Sequence, residues 1–549
     1  MKVVPPSESD ARAGCSHQGL TCPPADGVLW TRVNTGELMP GIMKPFAWSY
    51  YAYGVESGLR RGFHHLGLID AGESIFPLPV RERIVASFHG RLSGNVNVAR
   101  RIFGALPGVS GDDIERDLLG SVRDRIVEDP PAGRMGALMT RIPAVMFTGG
   151  RQAREHHARV EAWWRACVDG NSLREGLDPI GTAHAALAEF ITTLRLQIWM
   201  RVFGQAVSAQ LAAVADFVGR PEIVGTLLGG AAATEEARIA DDLFHVATGR
   251  KSLDRFIADH GYQGPNSGDP AARVWREDRR PVERLLDALA TAEPPAERRA
   301  RMVADRRRTV EAVLAQLPVH RRPLARLAVH LAPIAARSIE GTKTSMLRTV
   351  DVGRAAARVV GAEMVAARIT SDVDDVFHLY CDEIAEWNGR HVAATIDARK
   401  ELHAAFLTED FPETWEGEPV VGSRPESPTA DVTTVRGLGV SPGTVQGRVR
   451  IVRDAADDVT IDNGDILVCP TTDPGWVSLM TLAGALVIDI GAAGSHGAIV
   501  ARELGVPCVA GTRSGTRDLR DGDIVRVDGS SGIVEVVQRQ PVQTAHGPQ

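Results

Sequence analysis

No stretch of about 18 uncharged apolar residues occurs in this chain of 549 residues, so no segment reads as a membrane-spanning helix. The first ten residues lack the apolar core of a signal peptide, and a cytoplasmic location with no membrane partner is expected. Cysteine is scarce. Six are scattered along the sequence (Cys15, Cys22, Cys167, Cys381, Cys469, Cys508), which argues against a disulfide framework and fits reduced thiols. Cys15, His17 and Cys22 offer at most three soft ligands. The adjacent pairs His64-His65 and His156-His157 would point about 100° apart on a helix, so no metal site is expected from either. Excess positive charge is missing too, with a net charge of −7, and no nucleic-acid partner is expected. The glycine-rich loop with a following lysine that cradles nucleotide phosphates does not occur. Gly149-Gly150 and Gly229-Gly230 are isolated pairs. What remains is an ordinary soluble composition, 44% apolar and 24% charged, in a chain long enough for two to four domains.

The most informative stretch present is Gly-Ala-Ala-Gly-Ser-His-Gly-Ala-Ile-Val-Ala-Arg-Glu-Leu-Gly-Val-Pro-Cys-Val, residues 491–509. The apolar run 485–488 before it suits a buried strand, and His496 to Leu504 suit a helix closed by Gly505 with Pro507 beyond. A helix start presents unpaired N–H groups and the positive end of the helix dipole, which stabilise a doubly negative group. A histidine at that point is suited to carry a phosphoryl group, because neutral imidazole is a nucleophile near pH 7. Arg502 either reaches the phosphate or faces solvent.

These residues resemble the phosphohistidine motif of the swivelling domain in phosphoenolpyruvate synthase, pyruvate phosphate dikinase and rifampicin phosphotransferase. The resemblance implies that His496 is the phosphoryl acceptor, with Ser495 and Arg502 beside it. Further strand and turn patterns at 437–452, 464–469 and 521–536, with a helix opening at Asp473-Pro-Gly-Trp476, match that β/β/α domain in order.

Taken from the start, residues 1–27 lack periodicity and read as a disordered arm. Residues 28–412 read as a mainly helical substrate-binding domain, 413–435 as a linker rich in Gly, Pro, Ser and acid, 436–538 as the swivelling phosphohistidine domain, and 539–549 as a disordered tail. The expected fold is thus multidomain, a large all-α domain followed by a small β/β/α domain. The segment Trp30 to Tyr50 resembles the opening of the substrate domain in the rifampicin phosphotransferase group, which brings Trp48 forward as a substrate-site residue, although buried aromatics are more often core anchors. A non-helical island at 260–278 resembles a Gly-His-Arg-Gly-Pro block of that group, with Tyr262 and Gln263 at the His-Arg positions. Arg337, Glu340 and Lys343 share one helix face at i, i+3 and i+6, either as a solvated ion-pair ladder or as a charged cleft wall.

Histidine is only a relay. In the resembling enzymes an ATP-grasp domain of some 300 residues loads it, and no such β-rich region is read here. The resemblance therefore implies the substrate-binding and phosphocarrier component of a split phosphotransferase. A separate ATP-grasp protein would bind ATP and Mg²⁺, and the linker would let the carrier domain swing to the helical cleft, where a small-molecule acceptor waits. Two alternatives stand beside it: a condensing or dehydrating enzyme that uses phosphoryl activation, and a non-catalytic binding protein of the same fold.

Overall fold

The computed structural model describes residues 7–16, 20–33, 35–39, 41–105, 110–119, 122, 135–168, 176–220, 223–228, 235–385, 392–423, 432–453, 461–472, 476–491 and 495–540. The chain is multidomain. Residues 1–224, 266–274 and 313–425 form one compact unit, and residues 225–265, 275–312 and 426–549 form a second.

Three long helices frame the first unit: Met135–Val168, Pro179–Phe217 and Arg322–Ala366. Asp178 caps the second by accepting from Ile180 N at 3.1 Å, and Pro179 occupies its first turn, where no amide donor is needed. A shorter helix, Val55–Leu66, lies against it through Gly58 and Gly62. A Cβ there would stand 2.6 Å from Leu194 Cβ and 2.0 Å from Ile198 Cγ2, so only glycine permits this approach. Deep in the unit, Arg354 and Asp351 form a fully buried ion pair at 2.7 Å. Asp351 also accepts from Trp164 Nε1 at 2.8 Å, and Arg354 donates to the carbonyls of Ser267, Asp269 and Pro270 at 2.7, 2.9 and 3.2 Å. The loop 266–274 is thereby pinned to the long helix.

The unit also holds an antiparallel sheet of strands β1 (Ala25–Thr31), β2 (Val85–Phe88), β3 (Arg91–Asn95) and β4 (Thr414–Gly417), in the order β2-β3-β1-β4. Trp30, Phe88, Phe411 and Trp415 pack edge to face beneath it at centroid distances of 5.0 to 5.4 Å. Two expectations change here. The residues read as a disordered arm include a capped helix, Glu8–Arg12, whose Arg12 pairs with Asp382 at 2.9 Å and whose Glu8 accepts from Ser49 Oγ; residues 1–6 and 17–19 lie outside the described residues. The residues read as a linker begin with β4, because Trp415 is buried; residues 424–431 lie outside the described residues. At the C-terminal end, Arg539 is bound to Asp523 at 2.7 Å, and residues 541–549 lie outside the description.

The second unit is built on strands β5 (Thr434–Arg436), β6 (Leu438–Ser441), β7 (Thr444–Ile451), β8 (Ile466–Cys469), β9 (Ala485–Ile488), β10 (Cys508–Ala510), β11 (Ile524–Asp528) and β12 (Ile533–Gln538), in the order β5-β12-β11-β7-β8-β9-β10-β6. Strands β7 to β10 are parallel, and the flanking pairs are antiparallel. Successive side chains of a strand point to opposite faces. Ile466, Val468, Ala485 and Val487 enter one core with Val525, Val527 and Val534, whereas Leu467, Cys469, Leu486 and Ile488 enter the other.

That second core contains Ile239, Leu243, Phe256, Trp275, Val282 and Leu289. The helices Glu235–Ala247, Leu253–His260, Arg280–Glu283 and Leu286–Thr291 therefore group with the eight-stranded sheet, not with the helical domain to which the expected boundaries gave them. A parallel sheet needs apolar cover on both faces, and these helices supply one of them.

Replacing Arg354 by Met should destabilise the first unit by about 3–5 kcal/mol, since it leaves Asp351 buried without its cation. Urea unfolding measures the loss, and limited proteolysis should show earlier cleavage within 266–274.

Candidate active site

His496 opens a nine-residue helix, His496–Leu504, at the C-terminal ends of the parallel strands β8 and β9. Three local features build this turn. Ser495 caps the helix, its Oγ accepting from Ala498 N at 3.4 Å, and is 4% exposed. Gly497 lets the helix start lie against the end of β8, since a Cβ there would stand 2.6 Å from Thr472 Oγ1 and 2.5 Å from Ile488 Cδ1. Gly505 ends the helix with φ at +68°, and its neighbour Val506 donates to Ala501 O at 2.9 Å.

Asp489 follows β9 directly and braces the opposite side. It accepts from Thr512 Oγ1 at 2.8 Å, from Thr516 N at 3.2 Å and from Thr516 Oγ1 at 2.5 Å. The result is a strand, a turn and a helix that starts at the C-terminal end of the parallel strands, the end at which ligands of such sheets bind. Residues 492–494 of the turn lie outside the described residues.

Arg502 folds back on its own helix, with Nε donating to Ala498 O at 2.9 Å, and burial lowers its pKa. The next residue, Glu503, is pushed up to about 7 by burial and then by Glu236, against the pull of Arg502, Arg299 and Arg306. One cation, Arg502, and one carboxyl group, Glu503, thus share the helix's last turn.

The residues expected at a substrate site do not gather in one place. Tyr262 and Gln263 lie in the second unit, both buried. Tyr262 OH donates to Glu235 Oε1 at 3.1 Å, and Gln263 O accepts from Trp275 N at 2.7 Å. Trp48 lies in the first unit, fully buried with its ring 5.5 Å from that of Tyr380. Core atoms wrap its side chain. Arg337 is exposed on Arg322–Ala366, while Glu340 and Lys343 are largely buried with Nζ and Oε2 3.9 Å apart.

His260, two residues before Tyr262, was not singled out in the sequence. It is fully buried, with Nδ1 3.2 Å from Glu235 Oε1 and Nε2 2.8 Å from Asp242 Oδ2; Lys251 joins Asp242 and Asp259 at 2.7 and 2.9 Å. Burial opposes the imidazolium, but the two carboxylates outweigh it and raise its pKa. The available signal was the seven-residue spacing of Glu235 and Asp242, which puts two acids on one helix face. The network fixes the turn that carries Tyr262 and Gln263.

Residues 461–532 match the family model for the mobile domain of PEP-utilising enzymes, and residues 196–339 match that for the rifampicin phosphotransferase fourth domain. Ser495, His496 and Arg502 lie inside the segment similar to the PEP-utilising mobile domain. An uncharacterized protein of Mycobacterium tuberculosis is 37% identical over 268 residues, covering 47% of this chain and 30% of that protein. A rifampicin phosphotransferase from a Streptomyces species is 32% identical over 351 residues, covering 60% and 39%. Chondramide synthase of Chondromyces crocatus is 28% identical over 358 residues, covering 58% and 9%. The chain spans at most 39% of the length of any of these relatives.

Glu503 generates a pH dependence. Its folded form holds a proton more tightly than the unfolded chain, so folding is favoured below the ordinary value of 4.5 and loses that advantage as pH rises to about 7. Denaturant titrations across that window should show stability falling in the wild type and falling less in Glu503→Gln. Glu8, which burial also pushes to about 7, contributes equally to both.

Proposed function

We propose that this chain is the phosphohistidine carrier of a phosphotransferase, taking a phosphoryl group on His496 and passing it to a small organic acceptor. The observation that carries this reading is the position of His496: the first residue of a capped helix at the C-terminal ends of the parallel strands, inside the segment that matches the PEP-utilising mobile domain. An imidazole nitrogen forms a P–N bond as the bond from phosphorus to its former oxygen breaks. In the second step an acceptor oxygen bonds to phosphorus, the P–N bond breaks and the imidazole returns. The helix-start amides accommodate the charge of the carried group, and Ser495 holds the first turn in shape. The cations of the Arg337, Glu340 and Lys343 row belong to the acceptor side of this reading.

ATP, bound with Mg²⁺ by a separate ATP-grasp chain, supplies the phosphoryl group. Among the described residues, no group of three or more His, Cys, Asp or Glu converges as a metal site would require. A second reading, favoured by the likeness to a synthase, keeps the carrier but uses the phosphoryl group to activate an acceptor oxygen for condensation or dehydration. It differs from the first in releasing inorganic phosphate along with the coupled product.

Intact mass spectra at neutral to alkaline pH, where phosphohistidine survives, test the carrier. After incubation with Mg²⁺-ATP and a candidate ATP-grasp protein, the wild type should gain the mass of one phosphoryl group and His496→Ala should gain none. A gain that persists in His496→Ala, or no gain in the wild type beside a demonstrably active partner, would sink the proposal.

A further inference from the structure

The first unit holds a pair of thiols that phosphoryl transfer does not use. Ser16 and Thr21 form an isolated antiparallel bridge, with Ser16 N donating to Thr21 O at 2.8 Å and Thr21 N to Ser16 O at 3.3 Å. A rung with both bonds made is followed by a rung with none, where facing Cα atoms stand about 4.5 Å apart. Cys15 and Cys22 occupy that next rung. Their Sγ atoms are 3.3 Å apart, both thiols are free, and a disulfide accepts Cα separations of about 4.4–6.8 Å.

Arg83 supplies the charge. Its Nη1 lies 3.6 Å from Cys22 Sγ and 3.9 Å from Cys15 Sγ. The guanidinium cannot swing away, because Nη2 donates to Ala11 O and Leu78 O at 3.0 Å and Nε to Pro77 O at 3.1 Å. The hydrogen bond between the two sulfurs, with the cation beside it, draws the Cys15 thiol down to about 7, while that hydrogen bond and burial hold Cys22 up. Their exposure divides the same way. Cys15 is half-buried and Cys22 only 3% exposed. A thiolate-forming, accessible cysteine beside a sheltered partner is the arrangement of an attacking and a resolving thiol.

We infer that Cys15 and Cys22 are an oxidation site for peroxides, in which Cys15 attacks and Cys22 resolves to give a reversible disulfide. In the first step the Cys15 thiolate forms an S–O bond with one peroxide oxygen and the O–O bond breaks. The departing hydroxide takes a proton and leaves as water, and Cys15 becomes a sulfenic acid. In the second step Cys22 Sγ bonds to Cys15 Sγ, the S–O bond breaks, and the hydroxide leaves with the Cys22 proton as a second water. Two thiols have then lost two electrons and two protons, and the peroxide has been reduced to two waters. Cys22 N donates to Ser87 O at 2.8 Å, so the new bond ties the segment carrying Glu8–Arg12 to the edge of β2.

The test uses the full chain, reduced, freed of reductant and treated with an equimolar amount of hydrogen peroxide. Intact mass should fall by two hydrogens, two of the six thiols should become unavailable to iodoacetamide, and a non-reducing peptide map should show Cys15 joined to Cys22. Dithiothreitol should restore both. In Cys22→Ser, dimedone should trap a sulfenic acid on Cys15. A protein that keeps all six thiols alkylatable, a bond from either cysteine to a different partner, or a Cys22→Ser variant without the dimedone adduct would each overturn the inference.

Discussion

The buried pair of Arg354 and Asp351 is the constraint on which the first unit depends. An arginine removed from water must find acceptors for its donors, because its charge is not lost at any accessible pH. Asp351 supplies one, and the carbonyls of Ser267, Asp269 and Pro270 supply others. Those carbonyls belong to a loop far away in sequence, so the long helix and the loop satisfy each other or neither is satisfied. Trp164 completes the arrangement by occupying the second oxygen of Asp351. Three segments that share no sequence neighbourhood are thus fixed by one charge.

In the second unit the governing constraint is the two-sided burial of parallel strands. Alternate residues of β8 and β9 enter opposite cores, and each core must be closed by something. The antiparallel strands β11 and β12 contribute to one closure through Val525, Val527 and Val534. The other is made by helices from the middle of the chain, whose Ile239, Leu243 and Phe256 share a core with Leu486 and Ile488. The turn carrying His496 is built on a sheet braced from both sides, and Asp489 extends that bracing to the loop at 512–516.

How much of this the sequence revealed follows from the range of each interaction. The turn at 491–505 was legible because all its determinants are local: an apolar strand, a Ser cap, a glycine at the close approach and a glycine with positive φ. The ownership of the helices between 235 and 292 was not legible, since a periodic apolar face announces burial without naming what covers it. The helix Glu8–Arg12 was hidden because it has little more than one turn of pattern and is held by Asp382 and Ser49, hundreds of residues away. Strand β4 was hidden inside a polar run because a single Trp415 carries its burial. His260 escaped notice because its partners are assembled only when two helices meet, and Tyr262 drew attention instead by resemblance.

The discontinuity of the second unit has a consequence for how the protein is made. Its helices at 235–292 leave the ribosome long before β7 to β10, the strands that cover them, have been synthesised. At about 5–20 residues per second, that interval is on the order of tens of seconds. Throughout it, Ile239, Leu243, Phe256 and Trp275 have no sheet to pack on, and they are surfaces that a chaperone would bind and that aggregation would exploit. The last quarter of the chain, which contains His496, is therefore also the part whose arrival ends the nascent protein's exposure.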